Sequence, residues 1–262
     1  MPDVDNLFDL SGKTALVTGG RRGLGREITL AFAHAGADVV IASRKLDSCE
    51  QLAKEVRDKT GKKALPIACN VGDWDQVDQL ADAAYDHFGK VDILVNNAGM
   101  SPLYDNLASV SESLYDKVLG VNLKGPFRLT ALIGSRMVEG DGGSVIMVSS
   151  MASVRPGKNA LPYAAAKAGL NAITIGFAQA YGPKVRVNGI VAGPFLTDIA
   201  KAWDMENFEK RAEESIPLGR AGIPMKLLVL LCTLRQLLLV TPRAHFYKLL
   251  VGVESKYNKL RR

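Results

Sequence analysis

Ser150, Tyr163 and Lys167 put a hydroxyl, a phenol and an ammonium within eighteen residues of chain. Tyr163 and Lys167 are four apart in PYAAAKAGLNAITIGFAQAY, which reads as a helix. Residues four apart share a helix face, so both groups can point into one pocket. A free tyrosine titrates near ~10 and is a poor base at neutral pH. A neighbouring cation favours phenolate and lowers that value, which makes tyrosine a usable acid/base group. Ser150 follows the apolar run Ser144-Val-Ile-Met-Val-Ser149, which reads as a buried strand. In α/β proteins the C-terminal ends of strands border the crevice where ligands bind. The expected chemistry is therefore proton transfer at a bound oxygen. A tyrosine and a lysine at helical spacing carry no function alone; the elements around them give the pair its meaning.

The first of those elements is the β-rich run Thr14-Ala-Leu-Val-Thr18. It leads into Gly19-Gly20-Arg21-Arg22-Gly23-Leu24-Gly25 and then into a helical pattern over residues 26–35. Strand, glycine turn and helix form a unit that cradles phosphate: glycines admit the backbone to a pyrophosphate, and the helix N-terminus supplies N–H groups. The spacing is G-x-x-x-G-x-G. A second strand, residues 37–43, ends in Ser43-Arg44-Lys45, where an NAD enzyme typically carries an acidic residue for the ribose hydroxyls. Arg44 can hold a 2′-phosphate with help from Arg21 or Arg22, because the guanidinium fork matches phosphate oxygens. NADP (as NADPH) is therefore expected over NAD. Strands at 64–69, 91–95, 144–149 and 185–191 alternate with helices at 46–60, 73–88 and 111–137, the last broken near Gly120 to Asn122. This alternation implies an α/β fold, a doubly wound parallel sheet with helices on both faces.

The totals fit one large domain. The chain has 262 residues, 47% of them hydrophobic and 23% charged, with a net charge of +6. Lys and Arg are scattered rather than blocked, so no nucleic-acid partner is expected. Cys49, Cys69 and Cys232 lack metal-like spacing. An odd count behind an acidic N-terminus with no apolar leader suits a reducing compartment, and a cytoplasmic location is expected.

Taken together and in order, Thr18-Gly19-x-x-x-Gly23-x-Gly25, Asn96-Asn97-Ala98-Gly99, Asn122, Ser150 and Tyr163-x-x-x-Lys167 resemble the short-chain dehydrogenase/reductase family in its roughly 250-residue form. The resemblance covers about residues 8–222. It implies a Rossmann-type fold and hydride transfer between a nicotinamide cofactor and a small-molecule carbonyl/alcohol pair. Tyr163 would be the general acid/base, and Lys167 would lower its pKa and hold the nicotinamide ribose. Ser150 would hydrogen-bond the substrate oxygen, and Asn122 would hold a water in a proton relay. Gly19, Arg21, Arg22, Gly23, Leu24 and Gly25 would line the phosphate end, Ser43, Arg44, Asn70 and Val71 the adenosine end. Asn97, Ala98 and Gly99 would wall the crevice, and Thr197 would contact the carboxamide. Met100, Leu103, Tyr104, Phe195 and Trp203 are apolar candidates for the substrate side. Asn70 departs from the family's usual aspartate, and Ala192 from its usual proline. The family also implies a homo-oligomer.

After Gly222 the resemblance stops. Residues 223–262, IPMKLLVLLCTLRQLLLVTPRAHFYKLLVGVESKYNKLRR, lack the family's seventh strand and glycine-rich ending. Domains are therefore expected at 1–222 and 223–262, with the last strand missing or altered and the edge of its neighbour unpaired. The genetic code offers an explanation. Met225-Lys226 must be ATG-AAR, and shifting the frame back one base reads GAA, glutamate. The same shift permits Gly-Ala-Ala-Leu-Tyr-Leu-Ala-Ser over residues 227–236, which the family would show. A one-base frameshift near Ile223 is the hypothesis; an intact frame there in the genes of close relatives would remove it. Arg235 interrupts the tail's apolar run and neither half reaches ~18 residues, so no membrane span is expected. The altered tail leaves a second functional expectation: a chain that binds nucleotide without turnover, or folds poorly.

Overall fold

The computed structural model describes residues 9–196, 205–215, 219–222 and 246–249. Strands β1 (Thr14–Thr18), β2 (Asp38–Ser43), β3 (Ala64–Ala68), β4 (Ile93–Asn96), β5 (Gly143–Ser150), β6 (Val185–Ala192) and β7 (Phe246–Leu249) form one sheet in the order β3-β2-β1-β4-β5-β6-β7. All neighbours are parallel. Helices α1 (Gly23–His34), α2 (Leu46–Thr60), α3 (Trp74–Phe88), α4 (Glu112–Leu119), α5 (Gly125–Glu139), α6 (Leu161–Tyr181) and α7 (Met205–Ser215) complete the described elements. The fold is the Rossmann-type α/β arrangement that the alternation of elements implied.

Burial on both faces explains why the central strands read as unbroken apolar runs. Successive residues point to opposite faces. Ala15, Val17, Val39, Ile41, Val95 and Ile146 pack with α1 and α2, while Leu16, Val40, Leu94, Val145 and Met147 pack with α3, α5 and α6. Each fully buried Leu or Ile among them stabilises the fold by ~1.5–3 kcal/mol. The helices stop and start where local chemistry directs. Asp73 caps α3 by accepting from Gln76 N at 3.0 Å, and Gly61 closes α2 at φ +68°, a backbone state that glycine adopts at no steric cost. The break expected near Gly120 is a single π turn, Gly120–Lys124, between α4 and α5.

One expectation needs correction. The edge of β6 is not left unpaired: Gly189 to Ala192 pair with Phe246 to Leu249. The last strand is altered rather than missing. A parallel edge accepts any segment with strand propensity that reaches it, and Phe-Tyr is such a segment. The helix α1 also begins three residues earlier than its apolar pattern, inside the glycine turn. Among the described residues no helix is long and apolar enough to cross a membrane.

Candidate active site

The site is built at the C-terminal edge of the sheet, where β1 and β4 end side by side. Thr18 Oγ1 donates to Val95 O (3.2 Å) and accepts from Asn97 N (3.0 Å) and Ala98 N (3.1 Å). Asn97 Nδ2 donates back to Thr18 O at 2.9 Å. These bonds hold the glycine turn against the end of β4. Gly19 and Gly23 have φ of +64° and +53°, a region that side-chain-bearing residues avoid. A Cβ at Gly25 would stand 2.5 Å from Asn97 Nδ2, so only glycine fits there. Arg22 precedes α1 without a side-chain cap. The first N–H groups of the helix therefore remain available to a ligand, and the dipole there favours an anion.

The charge around this turn is one-sided. Arg21 Nε donates to Ser43 Oγ at 3.1 Å, which joins the glycine turn to the end of β2. Arg21, Arg22, Arg44 and Lys167 line one cleft of about 450 Å³, and no described lining residue is acidic. The glycine cradle, the open helix end and this excess of cations fit the phosphates of a dinucleotide.

At the other end of the cleft lie the groups that could move protons. Tyr163 and Lys167 sit in the first two turns of α6, which Pro162 helps to start. Lys167 is 3% exposed. Its Nζ donates to Val148 O at 2.8 Å and lies 5.8 Å from the centre of the Tyr163 ring. Burial pushes its pKa down to about 8. Burial also pushes the Tyr163 phenol up, opposed by a hydrogen bond with Ser150. Desolvation disfavours phenolate and ammonium alike, and it is the larger influence on both groups here.

Asn122 is fully buried in the π turn. Its Nδ2 donates to Met100 O (2.8 Å) and Val118 O (2.9 Å), and its Oδ1 accepts from Met100 N (3.3 Å). One donor and the acceptor thus pin Met100 beside the cleft, and the other donor ties Asn122 back to its own helix at Val118. A Cβ at Gly99 would stand 3.1 Å from Asn122 Oδ1 and 3.8 Å from Lys167 Nζ, so glycine keeps a narrow passage between them.

The structure brings nearly all of the expected residues to this one cleft: Gly19, Arg21, Arg22, Gly23, Leu24, Gly25, Ser43, Arg44, Asn70, Val71, Asn97, Ala98, Gly99, Ser150, Tyr163 and Lys167. Asn122 stands behind its wall. Thr197 and Trp203 lie outside the described residues. Met100 and Phe195 line the cleft as expected of the substrate side. Leu103 instead points to solvent, 65% exposed. Tyr104 uses its hydroxyl to donate to Lys158 O (3.0 Å) and accept from Leu161 N (2.9 Å). The bridging role of Thr18 was not visible in its motif, because its three partners all lie about 80 residues away. Among the described residues no His, Cys, Asp and Glu cluster could hold a metal ion.

Comparisons with known proteins agree with this geometry. The sequence pattern of the family described as short chain dehydrogenase matches residues 13–207. The chain is 34% identical over 216 residues to the 3-oxoacyl-[acyl-carrier-protein] reductase FabG of Thermotoga maritima, covering 82% of this chain and 87% of that one. It is 35% identical over 222 residues to the L-rhamnose 1-dehydrogenase (NADP(+)) of Thermoplasma acidophilum, covering 83% and 87%. Among solved structures, a 7α-hydroxysteroid dehydrogenase complexed with NADH and 7-oxo glycochenodeoxycholic acid superposes with a TM-score of 0.88 at 30% identity, covering 97% of this chain and 98% of that one.

Proposed function

The chain belongs to the short-chain dehydrogenase/reductase family of oxidoreductases, and from that membership we propose that it transfers a hydride between NADP(H) and a carbonyl/alcohol substrate. The observation that carries this reading is the convergence of Ser150, Tyr163 and Lys167 on a cleft whose other end is lined by arginines with no acidic group. Bound nicotinamide supplies or accepts the hydride. Everything else falls to the protein. The N–H groups of α1 and the glycine turn hold the pyrophosphate. Arg44 and Arg21 clasp the 2′-phosphate, which is the basis for preferring NADP(H).

Tyr163 gives its phenolic proton to the carbonyl oxygen in reduction and takes it back in oxidation. The Ser150 hydroxyl donates to the same oxygen as charge develops on it, an interaction that strengthens towards the transition state. Lys167 supplies the positive charge that makes phenolate accessible. Its pKa of about 8 leaves it cationic at neutral pH. That charge, one helical turn from the phenol, would favour phenolate. Asn122 holds Met100 at the cleft wall, and as expected from the sequence it would order a water in the proton relay. Met100, Met151 and Phe195 make the substrate end apolar, which suits a moderately apolar carbonyl or alcohol.

A second reading rests on residues 223–262, whose sequence departs from the family: nucleotide binding without turnover. Thermal melts with NADPH and NADH, followed by a panel of alcohols and ketones, separate the two. Stabilisation by NADPH with turnover supports the first reading, and stabilisation without turnover supports the second. In an active sample Tyr163→Phe should lose nearly all turnover while keeping NADPH affinity; unchanged turnover would remove the assigned role.

A further inference from the structure

The short turn after β5 is fastened to α6 by a relay of side chains. Asn171 Nδ2 donates to Ser153 Oγ at 2.9 Å. Ser153 Oγ donates to the Ser150 carbonyl at 2.6 Å. Across the same turn, Met151–Ser153, Ser150 Oγ accepts from Ala152 N at 3.2 Å. Asn171 follows Lys167 by four residues and Tyr163 by eight, so all three share one face of the helix. That face supplies the phenol, the ammonium and the amide that grips the loop bearing Ser150.

The amide is an expensive choice. Asn171 Oδ1 is buried without a hydrogen-bond partner. An orphaned buried acceptor destabilises a fold, and a native one calls for an explanation. The explanation here is directional. Ser153 has a single hydroxyl proton. Asn171 presents a donor to the Ser153 oxygen, so that proton is free to go to Ser150. An apolar residue at 171 would leave Ser153 free to rotate, and an acceptor would take the proton away.

We infer that Asn171 and Ser153 are positioning residues, which lock the Met151–Ser153 turn so that the Ser150 hydroxyl is presented to Tyr163. The inference rests on the reading of Ser150 and Tyr163 given above. Neither residue touches the reacting atoms. Their effect passes through Ser150, which lines the same cleft as Tyr163 and whose hydroxyl opposes the upward shift of the phenol. Loosening the turn should therefore raise the Tyr163 pKa without removing any group from the cleft.

The test needs no substrate. Protein labelled with 13C at the tyrosine ring Cζ is titrated by NMR, with and without saturating NADP+. The Tyr163 signal is identified by its loss in Tyr163→Phe. Ser150→Ala sets the reference and should shift the Tyr163 titration upward. Asn171→Ala, Asn171→Asp and Ser153→Ala should each shift it in the same direction, by about half a pH unit or more. Asn171→Asp keeps the volume and reverses the hydrogen-bond polarity, but its added charge raises a nearby phenol by itself, so the uncharged Asn171→Ala and Ser153→Ala decide the test. Asn171→Ala combined with Ser153→Ala should shift the titration no further than the larger single change, as expected for one coupled unit. Ser153→Ala carries the test alone if the Asn171 variants fail to fold. A shift with Ser150→Ala but none with the Asn171 or Ser153 variants would overturn the relay. No shift even with Ser150→Ala would overturn it too, through the Ser150–Tyr163 contact on which it depends. Loss of NADP+ binding by the unaltered protein would instead count against the proposed cofactor, and the cofactor-free titration would still decide the relay.

Discussion

Replacing Lys167 by methionine should remove a pH-dependent destabilisation of the cofactor-free protein while destroying its activity. The magnitude follows from the ammonium's surroundings. Lys167 is 3% exposed, bonded to Val148 O, and its pKa falls from 10.5 to about 8. At about 1.4 kcal/mol per pH unit, that fall corresponds to ~3 kcal/mol of destabilisation at neutral pH. Below pH 8 the lysine is protonated in both states, and the folded state bears the full cost of burying the charge. Between pH 8 and 10.5 the folded protein has released its proton and the unfolded chain has not. The unfolded state then binds more protons, so wild-type stability rises with pH. Methionine does not titrate and nearly fills the same volume, though it leaves Val148 O without its donor, a loss of ~1–3 kcal/mol that is independent of pH. Urea unfolding of both proteins at intervals from pH 7 to 10.5 isolates the effect, because other titrating groups cancel in the difference. The difference between variant and wild type should move by ~3 kcal/mol in favour of wild type across that interval. A difference that stays flat with pH would refute the burial argument, whatever its absolute size.

Arg44→Asp should weaken NADPH by roughly tenfold or more, since it removes a charge-assisted pair and adds a repulsive charge. NADH should be affected little, and equal losses in parallel fluorescence titrations would remove the 2′-phosphate assignment. Gly25→Ala should abolish measurable cofactor binding and cost the fold ~1–3 kcal/mol, because its Cβ meets Asn97 Nδ2 at 2.5 Å. A melting temperature and NADPH affinity matching wild type would show that the turn relaxes more easily than its packing implies.

Much of the site was legible in the sequence because its requirements are local. A left-handed turn needs glycine at Gly19 and Gly23, and a shared helix face needs four-residue spacing between Tyr163 and Lys167. Both conditions are met within a few residues of chain, so they leave a readable pattern. The alternation of strand and helix likewise fixed a parallel α/β sheet, since parallel neighbours need crossover connections. Neighbouring strands beyond β1 and β2 were not legible in detail, and the pairing of β6 with Phe246 to Leu249 overturned an expected bare edge. Sequence pattern reports what a segment prefers, whereas an edge reports what it will accept.

The electrostatics of the site belonged to the tertiary structure alone. From spacing, an ammonium beside a phenol should lower the phenol's pKa. In the fold, Lys167 is buried and turns to Val148 O, while Tyr163 is half-buried in the cleft wall with its phenol raised. Desolvation depends on what covers a group, and that cover comes from β5, α6 and the loops after β4 and β6, which are distant in the chain. The relay from Asn171 through Ser153 to Ser150 is hidden for the same reason. Its members are unremarkable polar residues until α6 is laid against the end of β5. The chain by itself determined which chemical groups are available and which share an element. Only packing decided which of them are dry, which way their protons point, and which amide holds the catalytic turn in place.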